Sequence, residues 1–280
     1  MNIENLLNQA FKRLTNSNVK NANLDCEILL SKTINKNREY IVLNQKEDLD
    51  KKYIDAFYSL IERRKKGEPV AYLLNKKEFW KETFYIDKNV LIPRPDTEHV
   101  IEEIIRFTQK DSKLHILDIG TGSGCIMLSI LKERKNFKGT GIDISKECIK
   151  ASKYNAKRLK LNNRSKFYIS DVDNFLIGKY DVVVSNPPYI EHLSLKYLDR
   201  DVVDFEPKLA LNGGHDGFSK ITKVINKTSA LIKKNGLFVL EIGYNQKTKA
   251  IKILKKNGFY IKKVLKDYGK NDRCIVSTKL

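Results

Sequence analysis

Short apolar segments alternate with helical ones through the second half of the chain, and this alternation constrains the fold more than any other feature. The segment at 180–184 is almost wholly apolar, as expected of a strand that is covered on both faces. Strand–helix alternation of this kind predicts an α/β fold with a doubly wound, mainly parallel sheet. We predict strands at about 114–119, 139–142, 167–169, 180–184 and 237–242, helices at about 125–134 and 146–160, and two further short strands near 259–265 and 273–278.

The N-terminal region follows a different pattern. Apolar residues recur at three- and four-residue steps as far as residue 66, and no Gly or Pro interrupts them before Gly67, which predicts a small helical domain. β-prone residues then fill 77–92, and we predict a hairpin there with its turn at Asp87-Lys88-Asn89. After two prolines, Asp96 or Thr97 is expected to cap the next helix. The predicted domains are therefore 1–70, helical; 71–95, the hairpin linker; and 96–280, the α/β domain.

A glycine-rich loop follows the first predicted strand. Glycine allows a sharp turn and a close approach of the backbone to a ligand, which in such sheets lies beyond the carboxyl ends of the strands. Asp118 ends the strand, and its carboxylate would repel a pyrophosphate but would suit a ligand that carries an ammonium and a sulfonium group. No Gly-Lys-Ser/Thr sequence follows, so a phosphate-binding P-loop is not supported. The loop consists of Gly120, Thr121, Gly122, Ser123 and Gly124.

Acidic residues also end the second and third predicted strands. Asp143 is placed to accept the hydroxyl groups of a ribose, and Asp171 to accept the amino group of an adenine. Each could instead be an ordinary cap or turn residue, but acidic residues at three successive strand ends favour a nucleoside ligand. This arrangement resembles the class I S-adenosylmethionine-dependent methyltransferases. The resemblance implies that the loop 120–124 surrounds the methionine part of S-adenosylmethionine, Asp143 binds the ribose, and Asp171 with Val172 lines the adenine edge.

The sequence Asn186-Pro187-Pro188-Tyr189 follows the fourth predicted strand, where a reacting group is expected. An amide nitrogen is a poor nucleophile, because its lone pair is delocalised into the carbonyl group. The side-chain oxygen of Asn186 and the carbonyl oxygen of Pro187 are two acceptors that can orient such a nitrogen through its N–H groups. Tyr189 is predicted to stack on the planar group and to favour the nearby sulfonium. The chemistry needs positioning more than a strong base.

This tetrapeptide resembles the motif of amino-methyltransferases that act on adenine N6, cytosine N4 or protein glutamine. Other segments, spread over essentially the whole chain, are similar to the release-factor glutamine methyltransferases (the HemK/PrmC family). They are Leu24-Asp25-Cys26-Glu27-Ile28-Leu29-Leu30, Gly67-Glu68-Pro69-Val70-Ala71-Tyr72-Leu73, Glu78-Phe79-Trp80, Ile92-Pro93-Arg94-Pro95-Asp96-Thr97-Glu98, Phe205-Glu206-Pro207-Lys208-Leu209-Ala210-Leu211, Gly213-Gly214-His215-Asp216-Gly217, Tyr268-Gly269 and Asp272-Arg273.

The resemblance implies a Rossmann-like, seven-stranded methyltransferase sheet with a small helical N-terminal domain and a β-hairpin linker. It implies methylation of the glutamine side-chain nitrogen in the Gly-Gly-Gln motif of class-1 peptide-chain release factors, with the helical domain binding the release factor. Residues 186–189 would bind the glutamine amide, and Asn186 would also lie near the cofactor. The alternative is an adenine-N6 methyltransferase acting on nucleic acid. Asn75 and Val172 depart from the family pattern, at the linker turn and the adenine edge.

Composition adds weaker constraints. The formal net charge is +19, which favours acidic partners such as RNA, but the lysines are spread along the chain rather than gathered in a stripe. Direct nucleic-acid binding therefore stays possible without being required. The four cysteines lack Cys-x-x-Cys spacing, so neither a metal site nor a disulfide framework is expected, and a cytoplasmic location fits. Neither a membrane span nor a signal peptide is expected, and we expect a monomer.

Overall fold

The computed structural model describes all 280 residues. Its backbone contacts divide it into two compact units, one formed by 1–76 with 199–205 and the other by 77–198 with 206–280. No helix is long and apolar enough to cross a membrane.

The first unit is helical and has its own apolar core, which includes Leu6, Leu29 and Phe57. These residues repeat at helical spacing on the faces that the helices turn toward one another. Asn2 caps the first helix, because its side-chain oxygen accepts the backbone N–H of Asn5 at 2.9 Å. The helices are α1 (Ile3–Thr15), α2 (Ala22–Ile34), α3 (Arg38–Leu43), α4 (Lys51–Lys65) and α5 (Val70–Leu74), and a later helix, Arg200–Phe205, belongs to the same unit.

The last of these N-terminal helices explains one departure from the family pattern. α5 ends at Asn75, which has a φ of 53° and therefore adopts the left-handed conformation. Asparagine tolerates this conformation better than most residues other than glycine. The resemblance implies Gly at this position, and the left-handed backbone of Asn75 is one that either residue can adopt.

The hairpin lies earlier than predicted. Its strands are β1 (Lys76–Phe79) and β2 (Glu82–Tyr85), so the chain reverses at Trp80 and Lys81. The prediction of a turn in the hairpin at 87–89 was wrong. That segment is a separate turn, in which the Asp87 side chain accepts the backbone N–H of Asn89 at 2.8 Å.

The second unit contains a seven-stranded sheet in the order β5-β4-β3-β6-β7-β9-β8. Strands β3 to β7 run parallel, and β9 is antiparallel to both of its neighbours. This sheet confirms the predicted fold class. The strands are β3 (His115–Ile119), β4 (Lys138–Asp143), β5 (Ser165–Ile169), β6 (Tyr180–Ser185), β7 (Ile232–Glu241), β8 (Phe259–Lys266) and β9 (Asp272–Lys279).

Apolar clusters cover both faces of the sheet, which explains why its central strands read as continuous apolar runs. In the register of the parallel strands, Ile119 at the end of β3 pairs with Ile142 of β4 and Ser185 of β6. The carboxyl ends of these strands therefore meet at one edge. The helices of this unit are α6 (Glu98–Phe107), α7 (Cys125–Glu133), α8 (Lys146–Arg158), α10 (Lys208–Leu211), α11 (Ser219–Leu231) and α12 (Lys247–Lys256). The helix Arg200–Phe205, which belongs to the first unit, is labelled α9.

Candidate active site

A cavity of about 350 Å³ opens at the carboxyl ends of the parallel strands, which is a volume typical of small-molecule sites. It lies wholly within the second unit. Of the site residues predicted from the sequence, Gly124 and Tyr189 do not line it. Those that do are Gly120, Thr121, Gly122, Ser123, Asp143, Asp171, Val172, Asn186, Pro187 and Pro188.

The glycines of the loop between β3 and α7 have two different structural roles. Gly120 and Gly122 have positive φ angles of 76° and 55°, and a Cβ added to either would meet no atom within 4 Å. Gly124 also has a positive φ, but its Cβ would lie 3.0 Å from Leu128 Cδ1 and 3.2 Å from Ser152 Cβ. The first two glycines therefore leave space in the cavity, whereas Gly124 allows α7 and α8 to pack closely.

Asp143 ends β4 and faces the cavity. One carboxylate oxygen accepts the backbone N–H of Gly122 at 2.9 Å, and the other accepts that of Ser145 at 2.9 Å. Each oxygen keeps a lone pair, so the carboxylate can still accept two ribose hydroxyl groups. Burial raises the pKa of Asp143, and the backbone hydrogen bonds oppose that rise.

Asp171 and Val172 lie beside each other after β5. The Asp171 side chain accepts the backbone N–H of Asp173 at 2.9 Å and so caps a short 3-10 helix, Val172–Asn174. The turn role considered from the sequence is therefore real. It uses only one carboxylate oxygen and leaves the other available to a ligand in the cavity that both residues line.

Asp118 is completely buried and does not line the cavity. Thr121 donates its hydroxyl proton to one carboxylate oxygen at 2.7 Å, while the other oxygen has no hydrogen-bond partner. Burial raises the pKa of Asp118 to about 7. Asp118 therefore holds the loop from beneath, and the direct ligand contact expected from the sequence is not part of this arrangement.

These features fit S-adenosylmethionine. Two glycines without a Cβ leave room against the backbone, and a buried carboxylate with an unpartnered oxygen lies directly below the loop. The carboxylates of Asp143 and Asp171 add acceptors at the next two strand ends. A cavity with this acidic side suits a cationic nucleoside and disfavours a polyphosphate.

Asn186 follows β6, whose last residue Ser185 donates its hydroxyl proton to the Ile119 carbonyl at 2.7 Å. The Asn186 side-chain nitrogen donates to Thr97 Oγ1 at 3.2 Å. This bond uses an N–H of the amide, so the Asn186 oxygen stays available as the acceptor that the sequence predicted. Asn186 thereby joins the end of β6 to the segment that precedes α6.

Thr97 does not cap α6. It is the last residue of a 3-10 helix, Pro95–Thr97, and makes no capping hydrogen bond. Its side chain is buried and faces Asn186 instead. The prediction that Asp96 or Thr97 caps this helix was wrong for Thr97, because its backbone is already helical and its hydroxyl group is engaged elsewhere.

Tyr189 lies behind the tetrapeptide. Its hydroxyl group donates to Glu241 Oε1 at 3.4 Å and accepts from Arg273 Nη1 at 3.5 Å. Burial raises the pKa of Tyr189, so the phenol stays protonated. Tyr189 does not line the cavity, where the sequence predicted that its ring would stack on the planar group.

Three further residues support this motif, and sequence reasoning missed two of them, Glu241 and Gln246. Glu241 and Arg273 contact Tyr189, and Gln246 donates its side-chain N–H to the carbonyl oxygens of Tyr189 and Gly217 at 3.0 and 3.2 Å. Glu241 had a signal, because it is an acidic residue at the end of a predicted strand. Arg273 was named from the sequence only as part of the Asp272-Arg273 resemblance, and Gln246 had no signal; only the fold brings both to Tyr189.

Arg94 and Glu206 form an ion pair beside the cavity. Glu206 is buried, and its other oxygen accepts the backbone N–H of Ile92 at 3.3 Å. Arg94 and Pro207 both line the cavity. The ion pair therefore holds together two separate segments of its wall.

Comparison with known proteins identifies the family of this chain. The PrmC N-terminal domain family matches residues 5–74, and a methyltransferase domain family matches residues 110–275. The release factor glutamine methyltransferase of Buchnera aphidicola subsp. Schizaphis graminum is 37% identical over the full length of both chains. That of Clostridium acetobutylicum is 34% identical over 100% of this chain and 99% of the other.

A solved structure supports the fold alone. The ribosomal protein L11 methylase from Lactobacillus delbrueckii subsp. bulgaricus has a TM-score of 0.52 and is 19% identical, covering 73% of this chain and 90% of its own.

The sheet, the glycine loop and the acidic strand ends together define a Rossmann-like methyltransferase. Full-length identity then narrows that class, and the chain belongs to the release factor glutamine methyltransferase family.

Proposed function

We propose that this enzyme transfers a methyl group from S-adenosylmethionine to the side-chain amide nitrogen of the glutamine in the Gly-Gly-Gln motif of class-1 peptide-chain release factors. The observation that carries the proposal is the Asn186 side chain. It lines the cavity, and its donated hydrogen bond to Thr97 leaves its oxygen free to accept from an amide N–H.

S-adenosylmethionine supplies an electrophilic methyl group on a sulfonium centre. Gly120 and Gly122 would approach its methionine part, Asp143 would accept from the ribose hydroxyls, and Asp171 with Val172 would line the adenine. Thr121 and Ser123 complete the loop. Gly124 would support this site indirectly, through the packing of α7.

The methyl acceptor would be oriented by the tetrapeptide. The side-chain oxygen of Asn186 and the carbonyl oxygen of Pro187 would accept the two N–H groups of the glutamine amide, and Pro188 would shape the wall. Held in this way, the nitrogen can be presented in line with the methyl group, which is where most of the rate enhancement would arise. Tyr189 would hold the motif from behind through Glu241 and Arg273.

The remaining partner assignments are also proposals. The helical unit would bind the release factor, and the enzyme would act as a monomer for which direct nucleic-acid binding is possible but not required. The four buried free cysteines support a reducing compartment, and we infer a cytoplasmic location.

The proposal is tested with labelled S-adenosylmethionine and a class-1 release factor. We expect label on the release factor and none after the glutamine of its Gly-Gly-Gln motif is changed to alanine. Equal labelling of that variant would contradict the glutamine assignment. Labelling of nucleic acid in its place would favour the adenine-N6 alternative.

Asn186→Ala gives a second test of the same proposal. We expect kcat to fall by about 100-fold, since one preorganised polar contact to the reacting group is typically worth that much. The Kd for S-adenosylmethionine should change far less, as measured by calorimetry. The exposed Asn163→Ala provides a matched control with unchanged turnover. A normal kcat in Asn186→Ala would remove the acceptor role.

A further inference from the structure

Asn155 lies on α8, is completely buried and makes three hydrogen bonds through its side-chain amide. Its Oδ1 atom accepts the backbone N–H of Tyr85 at 2.7 Å, and its Nδ2 atom donates to the Tyr85 carbonyl at 3.0 Å. Nδ2 also donates to the Ser123 carbonyl at 2.9 Å, so both of its N–H groups are used. One buried amide therefore joins the end of β2 to the glycine loop 120–124.

The contact with Ser123 holds one peptide group of the glycine loop. Ser123 lies between Gly122 and Gly124, both of which have a positive φ. Glycine accepts φ angles of either sign, so the peptide plane between Ser123 and Gly124 could turn over at little steric cost. Two hydrogen bonds oppose that rotation. Asn155 donates to the Ser123 carbonyl, and the Gly124 N–H donates to the Thr121 carbonyl at 2.8 Å.

The contact with Tyr85 holds the start of a second wall of the cavity. Tyr85 is the last residue of β2 and leads into segment 86–94. Its ring packs edge-on against that of Tyr154, the neighbour of Asn155 on α8, with the ring centroids 5.0 Å apart. The residues of segment 86–94 that line the cavity are Asn89, Leu91, Pro93 and Arg94.

Asn155 itself does not line the cavity. Any effect that it has on a ligand must therefore pass through the backbone groups that it holds. Because the same amide bonds to the glycine loop and to Tyr85, a ligand that fixes the loop also stabilises the contact with Tyr85. Such coupling is reciprocal, so loss of the amide must weaken the binding of that ligand.

We propose that Asn155 is a positioning residue for S-adenosylmethionine, which holds the peptide between Ser123 and Gly124 in its binding orientation and couples the glycine loop to the end of β2. The inference rests on the proposed cofactor contacts of the loop. It does not depend on which methyl acceptor the enzyme uses.

Two substitutions remove the amide. Asn155→Ala removes all three hydrogen bonds, and Asn155→Leu removes them while keeping a side chain of similar size. We expect the Kd for S-adenosylmethionine to rise about tenfold in each variant, the equivalent of one ordinary hydrogen bond. Calorimetry measures this change on the folded proteins. A wild-type Kd in both variants would overturn the proposal.

Hydrogen exchange measures the coupling between the loop and β2. Under native conditions, where amides exchange by local opening, saturating S-adenosylmethionine should slow exchange of the Tyr85 backbone N–H in the wild type. In Asn155→Leu the cofactor should leave Tyr85 exchange unchanged and still slow that of Gly122. Tyr85 exchange that ignores the cofactor in the wild type would contradict the coupling, as would equal slowing of Tyr85 in the variant.

Arg164→Met is the matched control. Arg164 also makes three hydrogen bonds to backbone groups, the carbonyls of Leu131, Arg134 and Phe137 at 2.8 to 3.0 Å, but it precedes β5 and does not line the cavity. Its loss should lower the unfolding free energy and leave the Kd for S-adenosylmethionine unchanged. A rise in Kd as large as in Asn155→Ala would mean that any loss of buried hydrogen bonds weakens binding, and would overturn the proposal.

Two kinds of failure can be told apart. A wild-type protein that does not bind S-adenosylmethionine would refute the proposed cofactor site as a whole. A wild type that binds it, together with Asn155 variants that bind it equally well, contradicts only the role of Asn155.

Discussion

Asp118 lowers the stability of the folded protein, while its carboxylate holds the glycine loop of the site from beneath. Its carboxylate is buried with one oxygen unpartnered, and desolvation raises its pKa from 3.8 to about 7. The folded protein therefore keeps the proton in a pH range where the unfolded chain releases it. Between about pH 4 and pH 7 the folded state binds more protons, so the contribution of Asp118 to stability falls as the pH rises.

The fall of this stability contribution with rising pH gives a prediction for Asp118→Asn. Asparagine resembles the protonated carboxyl group and can still accept from Thr121. The variant should gain stability over the wild type, and the gain should be larger at pH 8 than at pH 5. Urea denaturation without cofactor measures it. The exposed Asp111→Asn should show no such difference, and an equal effect at both pH values would refute the argument.

At the scale of elements, the glycines of the loop between β3 and α7 have separate roles: some leave space for a ligand, and one allows close helix packing. Gly122→Ala places a methyl group in open space at the cavity, whereas Gly124→Ala drives one against Leu128 and Ser152. Both positions have a positive φ, so both substitutions carry some backbone strain. The difference between them lies in what the new methyl group meets.

The two alanine variants should therefore separate affinity from stability. Gly122→Ala should weaken S-adenosylmethionine binding in calorimetry while costing about 1 kcal/mol of unfolding free energy. Gly124→Ala should cost more, about 3 kcal/mol, because overpacking adds to the strain. Equal losses of stability in urea denaturation, or wild-type affinity in Gly122→Ala, would show that the division is mistaken.

The hairpin shows why the sequence did not predict the boundaries of its strands correctly. Asp87-Lys88-Asn89 does form a turn, as its composition indicates, but strand pairing occurs around Trp80 instead. There the backbone N–H of Trp80 donates to Glu98 at 2.7 Å and its indole N–H to Glu133 at 2.8 Å. These partners lie 18 and 53 residues away, so no local pattern could indicate them.

At the scale of the whole molecule, each unit has its own core, and every residue that lines the cavity belongs to the second. In the first unit, Arg64 and Asp25 form a largely buried ion pair at 2.8 Å, and Arg64 also donates to the Gly67 and Glu68 carbonyls. This pair connects α2 and α4 within the unit.

Removal of one partner from this ion pair gives a domain-level prediction. Arg64→Met leaves the Asp25 carboxylate unpaired, so the first unit should lose about 3 kcal/mol. Hydrogen exchange in α1 to α4 should accelerate, while the Kd for S-adenosylmethionine stays constant. Arg13→Met, which removes an exposed pair with Glu62, is the matched control and should cost less than about 1 kcal/mol. A large change in cofactor affinity would contradict the prediction that the cofactor site is independent of the stability of the first unit.

The sequence by itself determined the sheet, the loop of glycines, the acidic strand ends and the position of Asn186. These follow from short-range rules: periodicity defines strands and helices, and parallel strands bring their carboxyl ends to one edge. Only the tertiary structure decided that Asp118 lies beneath the loop, that Tyr189 lies behind the tetrapeptide, and that Thr97 bonds Asn186 instead of capping a helix. Those outcomes depend on where side chains point after distant segments have packed together. Asn186 and Thr97, for example, are 89 residues apart in the sequence. A buried polar group takes whichever partner the packed fold brings within reach.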